Sequence, residues 1–302
     1  MNFDVVKHKR WWFTLSSVLV LLSVLSIFLY GFNFGIDYTG GSILDVEFEQ
    51  PVTVSQVRDV LQGSENLNNA VIQLTGVNEE NSSTSVMIRT RNLTTEESQR
   101  VVSNLSQQLN KMEVKRIESV GAVIGSEVTR HAVENLLVAF VALAAYISFR
   151  FEYKIAISAI VSIMHDLIMV LGVFSFFHLE IDASFLAAVL TVVGYSMNEA
   201  VVIFDRVREN SHTHKKTDSF EILANDSIAQ SIHRSIYTLS TVLFACGALH
   251  FFGGESTKNF SLVMLIGFIS GAYSSICVDT SLWVVWKEYS AKKRMDHRLS
   301  AK

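Results

Sequence analysis

Ionisable and hydroxyl-bearing side chains interrupt long apolar runs of this chain at helical spacing. His165 and Asp166 sit side by side in Ile163-Met-His-Asp-Leu-Ile168. Thr191, Tyr195, Asn198 and Glu199 stand at i, i+4, i+7 and i+8, one stripe of a helix. Ser231, Arg234, Ser235, Thr238 and Thr241 share largely one face of another. Gly271, Ser275 and Asp279 fall four apart, and Gly267-x-x-x-Gly271 offers a close helix contact. A charge at the centre of a bilayer costs about 2.5–3.5 kcal/mol on insertion scales, so each ionisable group needs a reason to be there. Glu199 and Arg234, on adjacent helices, compensate one another if they meet. The chemistry open to such a set is the binding and release of a cation. No nucleophile, metal or nucleotide motif appears, so enzymatic turnover has little support. A plainer reading stands beside each residue: Ser and Thr stripes glue helices together, His165 bonds a neighbouring helix, and Asp279 lies wet near a helix end.

The elements that must position these groups follow from composition. Charged residues are 18% of 302, against about 25% in a soluble domain, and mean hydropathy is +0.32. A span needs about 20 apolar residues. Six blocks meet or approach that: Trp11 to Tyr30, Ala132 to Phe149, Ile155 to Phe177, Ala183 to Phe204, Ile236 to Phe252 and Phe260 to Trp286. The first lacks a small-x-small cleavage site and is read as a retained span. Segments sharing the side of the N-terminus hold 16 lysines and arginines, including Lys7, Arg150, Arg206, Lys215, Lys216, Arg234, Lys287 and Lys302, against Lys258 alone in the two short loops opposite. The positive-inside rule therefore expects both termini in the cytoplasm and the long polar segment outside. A net charge of −4 makes a nucleic-acid partner unexpected. Cys246 and Cys277 lie in apolar blocks and read as small core residues.

The polar segment has its own order. Ser42 to Glu49 alternates apolar and acidic residues as a half-buried strand does. Thr53-x-x-Gln56 is a capping-box start, followed by Val54, Val57, Val60 and Leu61 as a helical face with Gly63 as its stop. Ala70 to Leu74 and Ser85 to Thr90 are strand-like. Thr94-x-x-Glu97 opens a longer helix with the face Val101, Val102, Leu105, Leu109 and Met112, and Val114 to Val120 closes with a strand. The order β-α-β-β-α-β is the ferredoxin-like pattern.

At this point the residues resemble a known family. Gly194-Tyr-Ser-Met-Asn-Glu-Ala-Val-Val-Ile-Phe-Asp-Arg-Val-Arg-Glu-Asn210 is similar to the fourth-span signature of the SecF branch of the SecD/SecF family, RND-type subunits of the bacterial Sec protein translocase. So are Phe32-Asn-Phe-Gly-Ile-Asp-Tyr-Thr-Gly-Gly41, Val120-Gly-Ala-Val-Ile-Gly125, Tyr146-Ile-Ser-Phe-Arg-Phe-Glu152, the His165-Asp166 pair, Glu180-Ile-Asp182 and Arg234-Ser-x-x-Thr238. The resemblance implies a six-span α-helical polytopic half with a small extracytoplasmic α+β domain. Its divisions are the N-terminus with the first span over 1–34, the periplasmic domain over 35–130, spans two to six over 131–288 and a basic tail over 289–302. It also implies an inner-membrane protein paired with SecD, working beside SecYEG and with YajC and YidC as possible neighbours. The client is an unfolded preprotein, drawn outward by the proton or sodium gradient with no cofactor.

The family's intramembrane carboxylate falls on Glu199 and its fifth-span arginine on Arg234; His165, Asp166, Tyr195, Asn198, Thr238 and Asp279 complete the ion-coupling set. Asp37, Gly40, Gly41, Asp205, Arg206 and Arg208 carry the family motifs. Three residues depart from the pattern: Glu199 where Asp is usual, Ala122 where proline is usual, and Asp279 where a small neutral residue is common. They leave the coupling ion open between proton, the default, and sodium, which an extra oxygen ligand suits. Two rival readings remain: an RND-type small-molecule or ion exporter, and a translocase scaffold whose buried charges serve assembly alone.

Overall fold

The computed structural model describes residues 4–65, 67–76, 78, 81–213 and 219–300. Lys215, Lys216 and Lys302, counted in the orientation argument, lie outside the described residues. The chain divides into two units, Phe34–Val133 and the membrane-helix unit formed by Met1–Asn33 with Glu134–Lys302.

In the polar unit, β1 (Gly41–Thr53), α2 (Val54–Glu65), β2 (Val71–Thr75), β3 (Ser82–Thr90), α3 (Thr95–Gln108) and β4 (Met112–Val120) follow the expected order. The antiparallel sheet runs β2-β3-β1-β4. Both capping boxes form: the Glu97 amide donates to Thr94 Oγ1 at 3.2 Å while Glu97 accepts from the Thr94 amide at 2.8 Å, and Gln56 accepts from the Thr53 amide at 2.8 Å. The core joins Leu44, Val46 and Phe48 of β1 to Val57 and Leu61 of α2 and to Val101 and Leu105 of α3. Two expectations need correction. Gly63 does not stop α2, which continues to Glu65. The first half of β1 is buried on both faces, Ile43 and Asp45 included, so it is a central rather than a half-exposed strand. The chain's one proline, Pro51, lies where the β1–β3 register breaks between Glu47 and Val52, the place where a missing N–H is tolerated.

Gly40 and Gly41 have φ of +71° and +129°, a region open mainly to glycine. A Cβ on Gly40 would meet Ala122 Cα at 2.8 Å and one on Gly41 the Thr90 carbonyl oxygen at 2.6 Å, so neither position admits a side chain.

In the membrane unit the long helices are α1 (Lys9–Tyr30), α4 (Ala122–Arg150), α5 (Tyr153–Phe176), α6 (Ala183–Ser211), α7 (Phe220–Phe252), α8 (Glu255–Tyr273) and α9 (Thr280–Ser300). A π-helical stretch, Ser274–Asp279, joins α8 to α9 into one continuous rod, so the described residues hold six candidate spans. Interior faces belong to α5, α6 and α8–α9, whereas α1, α4 and α7 leave most of their apolar surface outward. Small residues permit close approach. Gly172 of α5 lies against Ser23 of α1, and Gly267 of α8 against Val192 of α6, with no room for a Cβ at either. The interhelical ion pairs Lys9 with Glu221 and Glu288, Arg150 with Asp205 at 2.8 Å, and Lys287 with Glu152 at 2.5 Å tie helix ends together.

Candidate functional site

Asp166, at mid-length of α5, is fully buried. Its Oδ1 accepts from Ser270 Oγ at 2.7 Å, and its Oδ2 accepts from Ser196 Oγ and Ser274 Oγ, both at 2.9 Å. His165 Nδ1 lies 3.2 Å from Oδ1. One carboxylate thus gathers hydroxyls from α6, α8 and the π-helical stretch. Such donors stabilise an anion that hydrocarbon would otherwise penalise. Gly271 makes the arrangement possible: a Cβ there would collide with Ser196 Oγ and stand 3.5 Å from Asp166 Oδ2. The His165 ring lies tilted against that of Tyr273, centroids 6.2 Å apart, and the Tyr273 hydroxyl pairs with Ser16 Oγ of α1 at 2.9 Å.

Asp279 does not lie wet at a helix end, contrary to the plainer expectation. It closes the π-helical stretch midway along the α8–α9 rod, fully buried, and neither carboxylate oxygen has a hydrogen-bond partner. Asp166 is within electrostatic range. The wider π turn delivers Thr280 Oγ1 to the Ser275 carbonyl at 3.0 Å, five residues back. Single π turns inside α-helices recur at functional sites because they re-aim side chains without ending the helix.

Glu199 is only 2% exposed. Thr238 Oγ1 of α7 donates to its Oε1 at 3.0 Å, and Oε2 has no partner. The expected ion pair with Arg234 is not formed, because Arg234 points out of the bundle and is exposed. The reason is rotational. The packed face of α7 is the i, i+4, i+8 row Ser227, Ser231, Ser235, and Arg234 lies off it, where a guanidinium's five donors need not be satisfied among serines and apolar groups. Thr238, one turn on, is what reaches α6. Tyr195 packs on Phe268 with centroids 4.5 Å apart, its hydroxyl beside Thr238 and Glu199 but outside hydrogen-bond geometry. Thr191 and Asn198, from the same stripe, face outward with Arg234 and Thr241.

The structure therefore separates the candidate residues into two groups. His165, Asp166 and Asp279 share the interior; Glu199, Tyr195 and Thr238 meet between α6 and α7, flanked by the outward Asn198 and Arg234. Of the motif residues, Asp205 pairs with Arg150, Arg206 with Glu209 at 2.6 Å, and Arg208 is exposed. Asp37 lies on a single helical turn, Ile36–Thr39, just before the Gly40–Gly41 pair. Sequence reasoning missed Ser196, Ser270 and Ser274. The signal existed in Ser270-x-x-x-Ser274, one residue round the helix from the Gly271, Ser275, Asp279 row that drew attention.

Residues 101–289 match the family described as protein export membrane protein SecD/SecF, C-terminal, and residues 25–52 match the SecD/SecF GG motif. The protein translocase subunit SecF of Acidaminococcus fermentans is 46% identical over 288 residues, covering 95% of this chain and 98% of that protein. That of Pseudomonas aeruginosa is 38% identical, covering 95% and 91%. The crystal structure of SecDF, a translocon-associated membrane protein from Thermus thermophilus, superposes with a TM-score of 0.85 at 32% identity. The match covers 95% of this chain but only 39% of that longer one.

Proposed function

This chain belongs to the SecD/SecF family of protein export membrane proteins, and on that premise we propose that it is the SecF half of an ion-driven complex completed by SecD. The complex sits beside SecYEG in the inner membrane, with YajC and YidC as candidate neighbours, both termini of this chain in the cytoplasm and residues 34–133 outside. It draws an unfolded preprotein outward after the ATP-driven step. The chain is a coupling device rather than an enzyme, and needs no cofactor beyond the transported proton, with sodium as the alternative ion.

One observation carries this reading: Glu199 is buried with an oxygen free while its expected cation stands outside on the neighbouring helix. A bare carboxylate in hydrocarbon is costly, so protonation and closure onto Arg234 are two ways of relieving the same penalty. Alternation between them links ion entry to movement of α7 against α6. The outward row of Thr191, Asn198, Arg234 and Thr241 suits a polar face of a homologous half better than it suits lipid. One charge crossing about 100 mV releases roughly 2.3 kcal/mol. Swinging a two-state equilibrium from 1:99 to 99:1 takes about 5.5 kcal/mol. A single ion at that voltage biases the cycle; two ions, one through each half, supply about 4.6 kcal/mol, and a concentration gradient makes up the remainder.

The test is export of a presecretory protein into membrane vesicles with and without an imposed gradient. Glu199→Gln and Arg234→Met abolish the gradient-dependent stimulation while the complex with SecD still assembles, and Glu199→Asp retains it. Normal stimulation in Glu199→Gln leaves only the scaffold reading. Imposing a pH gradient and a sodium gradient separately identifies the ion.

A further inference from the structure

At the end of the membrane unit where α5 begins, a cavity of about 620 Å³ lies between the first turn of α5 and the C-terminal half of α9. Lys154 lines it with only 6% of its surface exposed, and its Nζ donates to Ser290 Oγ at 2.6 Å. Among the described residues no carboxylate lies within ion-pair distance of Lys154. Lys287 shares the wall and is engaged by Glu152 at 2.5 Å; Lys293, Arg294 and His297 complete it. Four fixed cations thus face a single carboxylate. Nothing in the ion-coupling reading uses them.

Depth identifies what the cavity is built to meet. Tyr153 lines it and meets Trp286 edge-to-face, ring centroids 6.3 Å apart, and paired aromatics of this kind sit at headgroup level. The first turn of α5 has no side-chain cap, so the amide end of its dipole adds partial positive charge on the same side. Buried lysine, converging cations, hydroxyl and aromatic rim together form a receptor for a phosphodiester at the membrane surface. We propose that this cavity binds the phosphate headgroup of an anionic phospholipid, seated between α5 and α9 in the leaflet to which both helix ends open. The bound lipid would staple the far end of the α8–α9 rod to α5 and neutralise the cations that now repel one another.

The test uses the full chain, purified in mild detergent, stripped of lipid and examined by native mass spectrometry. It is titrated with phosphatidylglycerol, with phosphatidylcholine of the same acyl chains, and with inorganic phosphate as competitor. Phosphatidylglycerol is retained in preference to phosphatidylcholine and is not displaced by equimolar phosphate. Lys293→Gln and Arg294→Gln, both exposed and safe for folding, each weaken its retention about fivefold, the factor expected for one interfacial cation. Lys154→Gln weakens it at least as much. Equal retention of phosphatidylcholine, displacement by equimolar phosphate, or unchanged retention in Lys293→Gln and Arg294→Gln overturns the assignment.

Discussion

Asp166 shows how a single carboxylate is made tolerable in the middle of a membrane unit. Three serine hydroxyls reach its two oxygens from α6, α8 and the π-helical stretch, so the residue serves as a knot for three elements as well as a charge. Asn at this position offers one acceptor oxygen and an NH2 group, which cannot receive all three hydroxyls. Each buried hydroxyl left without an acceptor costs about 1–3 kcal/mol. Asp166→Asn is therefore expected to lower the unfolding temperature of the purified chain by several degrees, and an unchanged melting curve would remove the bracing role. Asp166, Asp279, Glu199 and Thr238 were all legible in the sequence, because a polar group in an apolar run announces itself. The serines around Asp166 were not, since small hydroxyls are common packing residues and only the rotation of the helix distinguishes those that face the carboxylate. The Glu199–Arg234 pairing failed for the same reason: spacing along a helix reports which residues share a face, and leaves open which way that face turns.

Elements with strong local signals were recoverable nearly to the residue. The capping box at Thr94 starts α3 where the sequence places it, and Arg91 reinforces it by pairing with Glu97 at 2.7 Å. The Arg91 guanidinium and the Thr94 amide hold the Glu97 carboxyl at about 2, below its usual 4.5. A carboxyl depressed in the folded state stabilises fully above its unfolded value, and that contribution is lost as pH falls through the interval from about 4.5 to about 2. Protection of the first-turn amides of α3 in the full chain, taken relative to their intrinsic exchange rate at each pH, should fall over that interval, and Glu97→Gln should remove the dependence. Thr94→Ala is expected to cost about 1 kcal/mol at neutral pH, read from the same amides. Signals weakened where solvent changes along one helix. α7 begins at Phe220, well before the apolar block at Ile236, because its first half is amphipathic, burying Leu223, Ala224, Ser227 and Ile228 while Asp226 and Gln230 stay more accessible. Hydropathy alone reads that half as loop.

At the scale of the molecule, the distribution of burial is lopsided. α5, α6 and α8–α9 hide their faces from one another, while α1, α4 and α7 turn theirs outward, and polar groups on α6 and α7 turn outward with them. Six spans, their order and the separate polar unit followed from sequence because long apolar runs and capping signals are local. The outward Arg234 did not, since it is a property of how α7 packs as a whole. Arg234, Asn198, Thr191 and Thr241 lie on surface that lipid tails solvate poorly. Under the proposed pairing with SecD, a copy made without that half carries its own mark of incompleteness, and membrane proteases that extract marginal helices should clear it. Pulse-chase labelling in cells lacking SecD is expected to give a half-life several-fold shorter than in cells that make both, with Arg234→Leu lengthening it. Equal lifetimes would mean that the exposed guanidinium is harmless there. Under that pairing, one unshielded side chain thus marks a copy left without the other half.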